Sequence, residues 1–328
     1  MKHNSEELMS LAIIMLNYNG SQDTIECIES LKAMKTRADY RIYILDNGSR
    51  NDDYQSLCNY CRQKDDFEVA EYNPDIVLNL EKDYLLRSEV NYGFAKGNNT
   101  VTRLLMPYFI NIVLLNNDTI VDESFVEKML QFLQDYPEVK YASCRINNYY
   151  NRNLLWNCGG SVKWWGNKHY FTEAELAQKG AYVETSFISG CALFLRCSML
   201  REHGLLTEDF FHGEEDFNFC WRMKKAKVKG ACLKETLVYH KVHAASDKTG
   251  AKAGKVAAYF LNRIIDMRKF YSRPVWEIWR RVVVLLVIAD SLRKQIPFKT
   301  IKEVLRIIRK YSHNTQLTYA DCIEMGRF

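Results

Sequence analysis

The chain has 328 residues, of which 47% are hydrophobic and 26% are charged. This is the composition of an ordinary soluble globular protein, and it excludes a disordered or fibrous chain. The length fits one large domain, or one domain with an extension. The formal net charge of +5 is mild, and we expect no nucleic-acid partner.

The positive charge is concentrated near the C-terminus. The segment from Arg263 to Lys310 contains 13 lysines and arginines against 4 acids, so it carries +9 while the rest of the chain carries −4. A local basic segment of this kind indicates an anionic partner for that part of the chain.

The ten cysteines are scattered along the chain. The one close pair, Cys58 and Cys61, has no second pair at metal-ligand spacing, so reduced thiols in the cytoplasm are favoured over a zinc site. Residues Met1 to Ser10 are polar and lack an apolar signal core, and we therefore expect no export.

The first half of the chain alternates between strand and helix patterns. Apolar runs and alternation predict strands at residues 11–16, 41–45, 67–72 and 110–115, and helical spacing predicts helices at 23–34, at about 52–61 and from about 97–98. Asp23 and Glu26 stand where an N-cap and its return partner would in the first helix. This order is typical of a mostly parallel sheet with helices on both faces.

Three of these strands end in polar clusters, at Asn17–Asn19, Asp46–Ser49 and Asn116–Asp118. Polar side chains beside a buried strand cost free energy unless something satisfies them. Ligands of parallel sheets bind beyond the carboxyl ends of the strands, so we expect the clusters to converge on one crevice. No glycine-rich phosphate loop follows the first strand, which disfavours a dehydrogenase or a P-loop enzyme and leaves a metal-held phosphate open.

The second half has an acidic cluster and a histidine that sequence alone leaves open. Glu214, Glu215 and Asp216 precede a segment with helical spacing, where acids also complement the helix dipole without any catalytic role. His240 ends an apolar run, and a histidine there is more often a packed side chain than a ligand.

Taken together, seven stretches resemble, in order and spacing, the motifs of bacterial family 2 glycosyltransferases with the GT-A fold. They are LNYNG, LDNGS, NYGFAKGNN, LLNNDT, SGCALFLR, EEDFNFCWR and VYHKVHAAS. The likeness covers roughly residues 10–270 and is closest to the rhamnosyltransferase-like branch, which builds surface polysaccharides. Two positions depart from the common pattern, because Asn116 and Asn218 stand where many relatives carry acids.

The resemblance implies a Rossmann-like GT-A catalytic domain over residues 1–245 and a helical, basic extension over 246–328. The nucleotide-binding half would span about 10–120, and the acceptor and catalytic half about 121–245.

The implied reaction moves a sugar from dTDP-rhamnose or a UDP-sugar to a glycan or lipid-linked glycan acceptor in surface polysaccharide synthesis. A Mn²⁺ or Mg²⁺ ion would stabilise the departing diphosphate, held by Asp118, Asn116 and His240. Family 2 enzymes invert the anomeric centre in one displacement, so the motif makes Asp216 the general base and Glu215 its preceding acid. Like-charge neighbours and burial favour a base by raising a carboxyl pKa towards neutrality.

By the same likeness, nine residues would contact the nucleotide sugar: Asn17, Asn19, Asp46, Asn91, Gly93, Gly97, Asn98, Asn117 and Arg222. Asp46 would accept the N3–H of uracil or thymine. Arg222 would contact the diphosphate, although a salt bridge on the helix surface explains it nearly as well. On the acceptor side the likeness places Trp156, Trp164, Trp165, Ser189 and Gly190, and the tryptophans are equally ordinary core residues.

The extension predicts membrane contact without a membrane span. Its apolar run, Val282–Ala289, is far too short to cross a bilayer. Interfacial tryptophans flanked by arginines predict a helix lying on an anionic membrane surface, with the protein peripheral on the inner face of the cell membrane. A helical cap on the domain and a homodimer contact are the alternatives.

Two rival functions belong to other classes. A catalytically silent sugar-nucleotide-binding or scaffold protein of the same fold would explain Asn116 and Asn218. A nucleotidyltransferase is disfavoured, because LNYNG (residues 16–20) is not the glycine-rich, lysine-bearing loop which that class carries after the first strand.

Overall fold

A computed structural model of the protein describes residues 9–242 and 249–325. The strands are β1 (Met9–Asn17), β2 (Tyr40–Asn47), β3 (Phe67–Glu71), β4 (Asp83–Ser88), β5 (Phe109–Leu115), β6 (Thr119–Val121), β7 (Val139–Asn148), β8 (Leu155–Asn157), β9 (Gly160–Lys163), β10 (Asn167–Tyr170), β11 (Tyr182–Thr185), β12 (Ala192–Arg196) and β13 (Lys229–His240). The helices are α1 (Ser21–Lys32), α2 (Asn51–Arg62), α3 (Gly93–Leu105), α4 (Phe125–Asp135), α5 (Glu173–Ala177), α6 (Cys197–His203), α7 (Glu215–Lys225), α8 (Thr249–Met267), α9 (Arg273–Arg293), α10 (Phe298–Tyr311) and α11 (Tyr319–Met325).

One large sheet organises the fold. Its strands follow the order β11-β13-β7-β12-β5-β1-β2-β4-β3, with β6 and β8 pairing at the side, while β9 and β10 form a separate hairpin. The strands from β5 to β3 all run parallel, and β12 is antiparallel to both of its neighbours. The predicted mostly parallel α/β sheet of the GT-A class is confirmed.

The position of β1 determines where a ligand binds. After β1 the chain adds β2 on one side, and it later returns to place β5 on the other side. Connections that diverge in this way leave a crevice beyond the carboxyl ends of the two strands. Asn17 ends β1, and Asn116–Asp118 directly follow β5, so the predicted polar clusters lie at this crevice.

Helices cover both faces of the sheet. Helices α1, α2 and α4 pack on one face, where Cys58 and Cys61 of α2 are buried with the core. Helices α3, α7, α8, α9 and α10 share a continuous apolar core with the other face. The extension is therefore packed against the catalytic half of the fold.

The extension forms the helical cap that the sequence left as an alternative. Trp276 of α9 is 2% exposed, and its indole N–H donates to the carbonyl of Ile264 at 2.8 Å. Val283 and Val287 of the same helix are buried against the core. Cutting the chain after Ser272 would remove this packing, so we expect such a truncation to destabilise the fold as well as remove surface.

Three local predictions differ from the structure. The N-cap prediction for α1 is wrong, since the structure shows no side-chain cap there. Asp23 and Glu26 instead accept from the ammonium of Lys241, at 2.7 and 2.6 Å, because that lysine is 4% exposed and needs anionic partners. Strand β4 was missed, and α3 begins at Gly93, ahead of the predicted start.

Candidate active site

A cleft of about 430 Å³ lies beyond the carboxyl ends of β1 and β5. Nine predicted residues line it: Asn19, Asn98, Asn116, Asn117, Asp118, Ser189, Gly190, Glu215 and Asp216. The sequence analysis did not select eight others: Leu16, Tyr18, Gly20, Asp23, Phe94, Leu115, Cys191 and His212. The polar strand ends and the acidic motif of α7 thus meet in one cavity, although they are about one hundred to two hundred residues apart in the chain.

Two of the predicted nucleotide contacts lie behind the cleft wall. Asn17 and Asp46 are both fully buried. The Asn17 amide donates to Asp46 Oδ1 at 2.8 Å and to Asp53 Oδ2 at 2.9 Å, and its oxygen accepts from the Thr24 hydroxyl at 2.9 Å. In this arrangement they support the wall, while Asn19, with a positive φ of 55°, lines the cleft.

Asn47, which the sequence analysis included in the Asp46–Ser49 cluster without giving it a role of its own, fixes the loop before α3. Its side-chain oxygen accepts from the N–H of Tyr92 at 2.9 Å, and its amide donates to Asn91 Oδ1 at 3.1 Å. At Gly93 φ is +76°, and a Cβ would lie 2.1 Å from the carbonyl oxygen of Phe211, so only glycine fits. Asn91 and Gly93 thus shape the loop. The sequence offered one signal for Asn47, namely its position within the DNGS stretch.

The start of α3 also brings Asn98 to the cleft. Gly97 packs against Leu16, where a Cβ would lie 3.0 Å from a leucine methyl carbon. The Asn98 amide donates to the carbonyl of Phe94 at 3.0 Å, and Asn98 lines the cleft. Gly97 therefore allows α3 to pack closely against β1, whereas Asn98 lines the cavity.

Asp118 and His240 form the candidate metal-binding pair. His240 Nε2 lies 3.0 Å from Asp118 Oδ1, and the edge of Trp156 packs against the imidazole with ring centroids 4.5 Å apart. Strands β6 and β13 pair antiparallel, with His240 opposite Thr119, and this pairing brings the histidine to the aspartate. Asn116 lines the cleft beside them.

This set of side chains fits a hard divalent cation that is only partly held by protein. Across residues 9–242 and 249–325, no group of three or more His, Cys, Asp or Glu side chains could hold a metal. One carboxylate, one imidazole and an amide oxygen leave most of a coordination shell for phosphate oxygens and water, which is how Mg²⁺ is usually bound beside nucleotides. The imidazole suits Mn²⁺ as well.

The catalytic candidates begin α7, with Asp216 facing a cation that sequence reasoning missed. Lys168 Nζ of β10 lies 3.8 Å from Asp216 Oδ1, and the lysine side chain is 15% exposed. The hairpin carrying Lys168 is 48 residues from Asp216 in the chain, so no local pattern could have revealed the pair.

Burial controls the charge on the neighbouring acids. Burial raises the pKa of Glu215 to about 8, and the adjacent Asp216 carboxylate adds to this. Burial also raises the pKa of Glu214 to about 7, despite its ion pair with the buried Arg263 of α8. Burial therefore favours the protonated form of Glu215 at neutral pH, and Asp216 is the acid of this motif that faces Lys168.

Replacing Glu215 with glutamine should stabilise the protein at alkaline pH. A carboxyl whose pKa rises on folding favours the native state at low pH, and this contribution is lost as the pH rises from about 4.5 through about 8. We expect the variant to be more stable than the wild type at pH 9 by about 1–3 kcal/mol, with little difference at pH 4. Urea unfolding at several pH values measures this.

The exposed loop residue Glu81 provides the control, as Glu81→Gln. A Glu215→Gln protein that is less stable than the wild type at pH 9 would contradict the buried, proton-holding role of this side chain.

Asn218 and Arg222 form part of a structural network. The Asn218 amide donates to Asp266 Oδ1 of α8 at 2.6 Å, and its oxygen accepts from Arg222 Nε at 3.0 Å. The Arg222 guanidinium also donates to the carbonyls of His203, at 2.6 Å, and Leu205. The Arg222 guanidinium is thus hydrogen-bonded to Asn218, His203 and Leu205 and does not line the cleft. The resemblance had placed it against the diphosphate there.

The acceptor-side tryptophans do not act as one cluster. Trp156 packs on His240, while Trp164 and Trp165 lie in the turn of the β9–β10 hairpin and are 77% and 45% exposed. The carbonyl of Trp165 accepts from the indole N–H of Trp279 at 2.8 Å. Ser189 and Gly190 alone among the predicted acceptor residues line the cleft.

Solved structures share this architecture. The chain is similar to GalNAc-T7, solved with UDP, GalNAc and Mn²⁺, with a TM-score of 0.60 and 13% identity over 98% of this chain and 57% of that one. It is also similar to the mannosyltransferase PcManGT from Pyrobaculum calidifontis, in complex with GDP-Man and Mn²⁺, with a TM-score of 0.53 and 12% identity over 97% and 86% of the two chains. The chain thus spans little more than half the length of the first neighbour, and at these identities the likeness shows the fold.

Sequence comparison assigns the family. No curated protein sequence matches significantly. The family model described as Glycosyl transferase family 2 matches residues 12–204, which is more than half of the chain and includes β1, β5 and the polar strand ends of the cleft. The chain therefore belongs to glycosyl transferase family 2.

Proposed function

We propose that the protein is an inverting, metal-dependent glycosyltransferase that uses a nucleotide-diphosphate sugar as donor. The observation that carries this proposal is the meeting of Asp118 and Asp216 in one cleft at the carboxyl ends of β1 and β5. One carboxylate with a nearby histidine suits a cation and a diphosphate, and the other suits an acceptor hydroxyl. Two structural neighbours solved with Mn²⁺ and a nucleotide or nucleotide sugar support a divalent metal and a nucleotide-sugar donor.

In this proposal Asp118, His240 and Asn116 would hold Mn²⁺ or Mg²⁺ together with the donor. When bound, the ion would supply positive charge to the diphosphate leaving group, which would then need no proton donor. Asn19, Asn98 and the loop fixed by Asn47 form the donor side of the cleft.

Asp216 accepts the proton of the acceptor hydroxyl as that oxygen attacks the anomeric carbon. Attack from the face opposite the leaving group inverts the anomeric centre, so the enzyme needs no nucleophile. Lys168 balances the charge of the Asp216 carboxylate from 3.8 Å, and Glu215, whose protonated form burial favours, does not compete for the proton. General bases of this kind typically contribute 10²–10⁴-fold to a rate.

The resemblance of the motifs to the rhamnosyltransferase-like branch supports dTDP-rhamnose or a UDP-sugar as the donor. It also supports a glycan or lipid-linked glycan acceptor in surface polysaccharide synthesis. A panel of UDP-, dTDP- and GDP-sugars tests the donor. We expect one of them to raise the melting temperature in the presence of Mn²⁺ by several degrees, and the absence of a shift with every member would contradict the proposal.

A silent scaffold protein is the rival, and Asn218 no longer supports it. The amide of Asn218 is used to join Arg222 to Asp266, and Asp266 restores a carboxylate to this network from α8. Asn218, which replaces the common acid of the motif, is thus paired with Asp266, and Asp216 still lines the cleft.

We also propose that the outer face of α9 lies on an anionic membrane surface. Val275, Ile278, Val282 and Leu285 are all at least half exposed, and their spacing places them on one side of the helix. Arg273 and Arg281 are exposed on the same helix. Among the helices of residues 9–242 and 249–325, none is long and apolar enough to cross a membrane.

Sedimentation with vesicles measures this contact. The intact protein should sediment with anionic vesicles at low salt, be released at high salt and ignore neutral vesicles, because each basic residue near an anionic surface contributes about 1 kcal/mol. The double variant Ile278→Gln, Leu285→Gln should bind more weakly without losing its fold. Equal binding to neutral vesicles, or none to anionic ones, would contradict the proposal.

A further inference from the structure

A second cavity, of about 740 Å³, lies between the β9–β10 hairpin and helices α8 and α9. We call it the hairpin groove. Its walls are built mainly from apolar side chains, among them Trp165, Phe260, Trp279, Val282 and Leu286. The groove-lining residues of α9 and its C-cap run from Trp279 to Lys294, a length of about 22 Å at 1.5 Å per residue. The groove is therefore long and largely apolar, unlike the polar cleft at the strand ends.

The groove begins beside the catalytic acids. Lys168 lines the groove, and the same ammonium lies 3.8 Å from Asp216 Oδ1. Arg263 also lines the groove and is ion-paired with Glu214. The part of a bound molecule that contacts Lys168 would therefore lie within the length of one lysine side chain of the proposed general base.

The chemistry of the walls selects the occupant. A glycan buried here would lose hydration at many hydroxyls, because the valine, leucine and alanine side chains of the wall offer no hydrogen bonds and the charged or amide side chains, among them Asn167, Lys168 and Arg263, are a minority of the lining. A hydrocarbon chain gains free energy from the same walls. Arg293 and Lys294, which also line the groove, share one carboxylate, Asp290, at 2.7 and 2.8 Å. The groove therefore offers cations to an anionic head group at these two residues and at Lys168.

We propose that the hairpin groove binds the hydrocarbon chain of a lipid-linked acceptor, with its sugar end directed past Lys168 towards Asp216. The inference rests on the proposed glycosyltransferase function and specifies the acceptor for it. The groove opens beside the exposed face of α9, because Val282 belongs both to that face and to the groove wall. A chain can therefore enter sideways from a membrane on which α9 lies.

The test uses dodecyl phosphate as a probe, titrated below its micelle concentration into the intact protein and followed by calorimetry. Leu286 lines the groove and Leu285 does not, yet the two are 50% and 64% exposed on the same helix. We expect Leu286→Gln to weaken binding about tenfold or more, whereas Leu285→Gln leaves it within about twofold. Ala289→Trp introduces a large side chain into the groove from an exposed position and should weaken binding as strongly. If Leu286→Gln does not fold, this variant tests the groove in its place.

Four results would overturn the inference. They are equal losses in the two leucine variants, unchanged binding in Ala289→Trp, butyl phosphate binding as tightly as dodecyl phosphate, and displacement of the probe by maltohexaose, which would assign the groove to a glycan.

The donor-dependent melting shift is measured on the same samples. A protein that shows no shift but binds the probe in the groove contradicts the proposed function, and one that shows the shift without probe binding contradicts only this inference.

Discussion

Asp216→Asn should lower the rate of sugar transfer by about two to four orders of magnitude and leave metal-dependent donor binding intact. The asparagine side chain keeps the size of aspartate but cannot take up the acceptor proton. Asp216 lines the cleft and faces Lys168, whereas Asp118 contacts His240; the two acids have different partners, so the donor site should not change. Single-turnover rates with saturating donor separate the chemical step from binding.

Glu215→Gln is the matched control for this experiment. Burial favours the protonated form of Glu215 at neutral pH, so its amide analogue should keep most of the transfer activity. If Glu215→Gln proves the more damaging change at equal donor occupancy, the base is Glu215 and the assignment of Asp216 is off by one residue.

Asp118→Ala should abolish the part of donor affinity that depends on the metal. Asp118 and His240 are side chains of metal-ligating types that meet at this strand end, with Oδ1 and Nε2 3.0 Å apart. In the proposed site they would leave the rest of the coordination shell to the donor phosphates. Removing the carboxylate removes the only protein anion of the pair. Calorimetric titration of the donor with and without Mn²⁺ should give the same, weaker affinity in both cases.

The exposed Asp52, whose side chain is 78% exposed, provides the control as Asp52→Ala. A donor affinity in Asp118→Ala that still rises with Mn²⁺ would rule out the metal role of Asp118. The same titration with metal alone is informative, because the partial ligand set predicts that Mn²⁺ binds much more weakly without the donor.

The strand ends and acids that line the cleft could be predicted from the sequence because each is marked by a local pattern. An apolar run that ends in Asn116–Asp118 marks both a buried strand and the polar edge where a ligand binds. The same reasoning placed Asn19 and the acids of α7 correctly in the cleft. It could not separate Asn17 and Asp46, which support the wall, from Asn19, which lines it, since all three are polar residues following a strand.

The remaining site contacts join distant parts of the chain. Lys168 meets Asp216, Arg263 meets Glu214 and Asp266 meets Asn218, and in each case the partners come from elements that are far apart in sequence. The charge of the extension predicted an anionic partner for that segment, but Arg263 is buried and pairs with Glu214 of the chain's own acidic motif. A buried ion pair of this kind is set by tertiary packing and leaves no periodic pattern.

Release of free nucleoside diphosphate from a panel of UDP-, dTDP- and GDP-sugars tests the central claim most directly. We predict that the intact protein turns over at least one donor in the presence of Mn²⁺, by transfer or by slow hydrolysis. This release should stop on chelation of the metal and in Asp118→Ala. A protein that binds a donor but releases no diphosphate across the panel, or an Asp118→Ala variant with full turnover, would contradict the account.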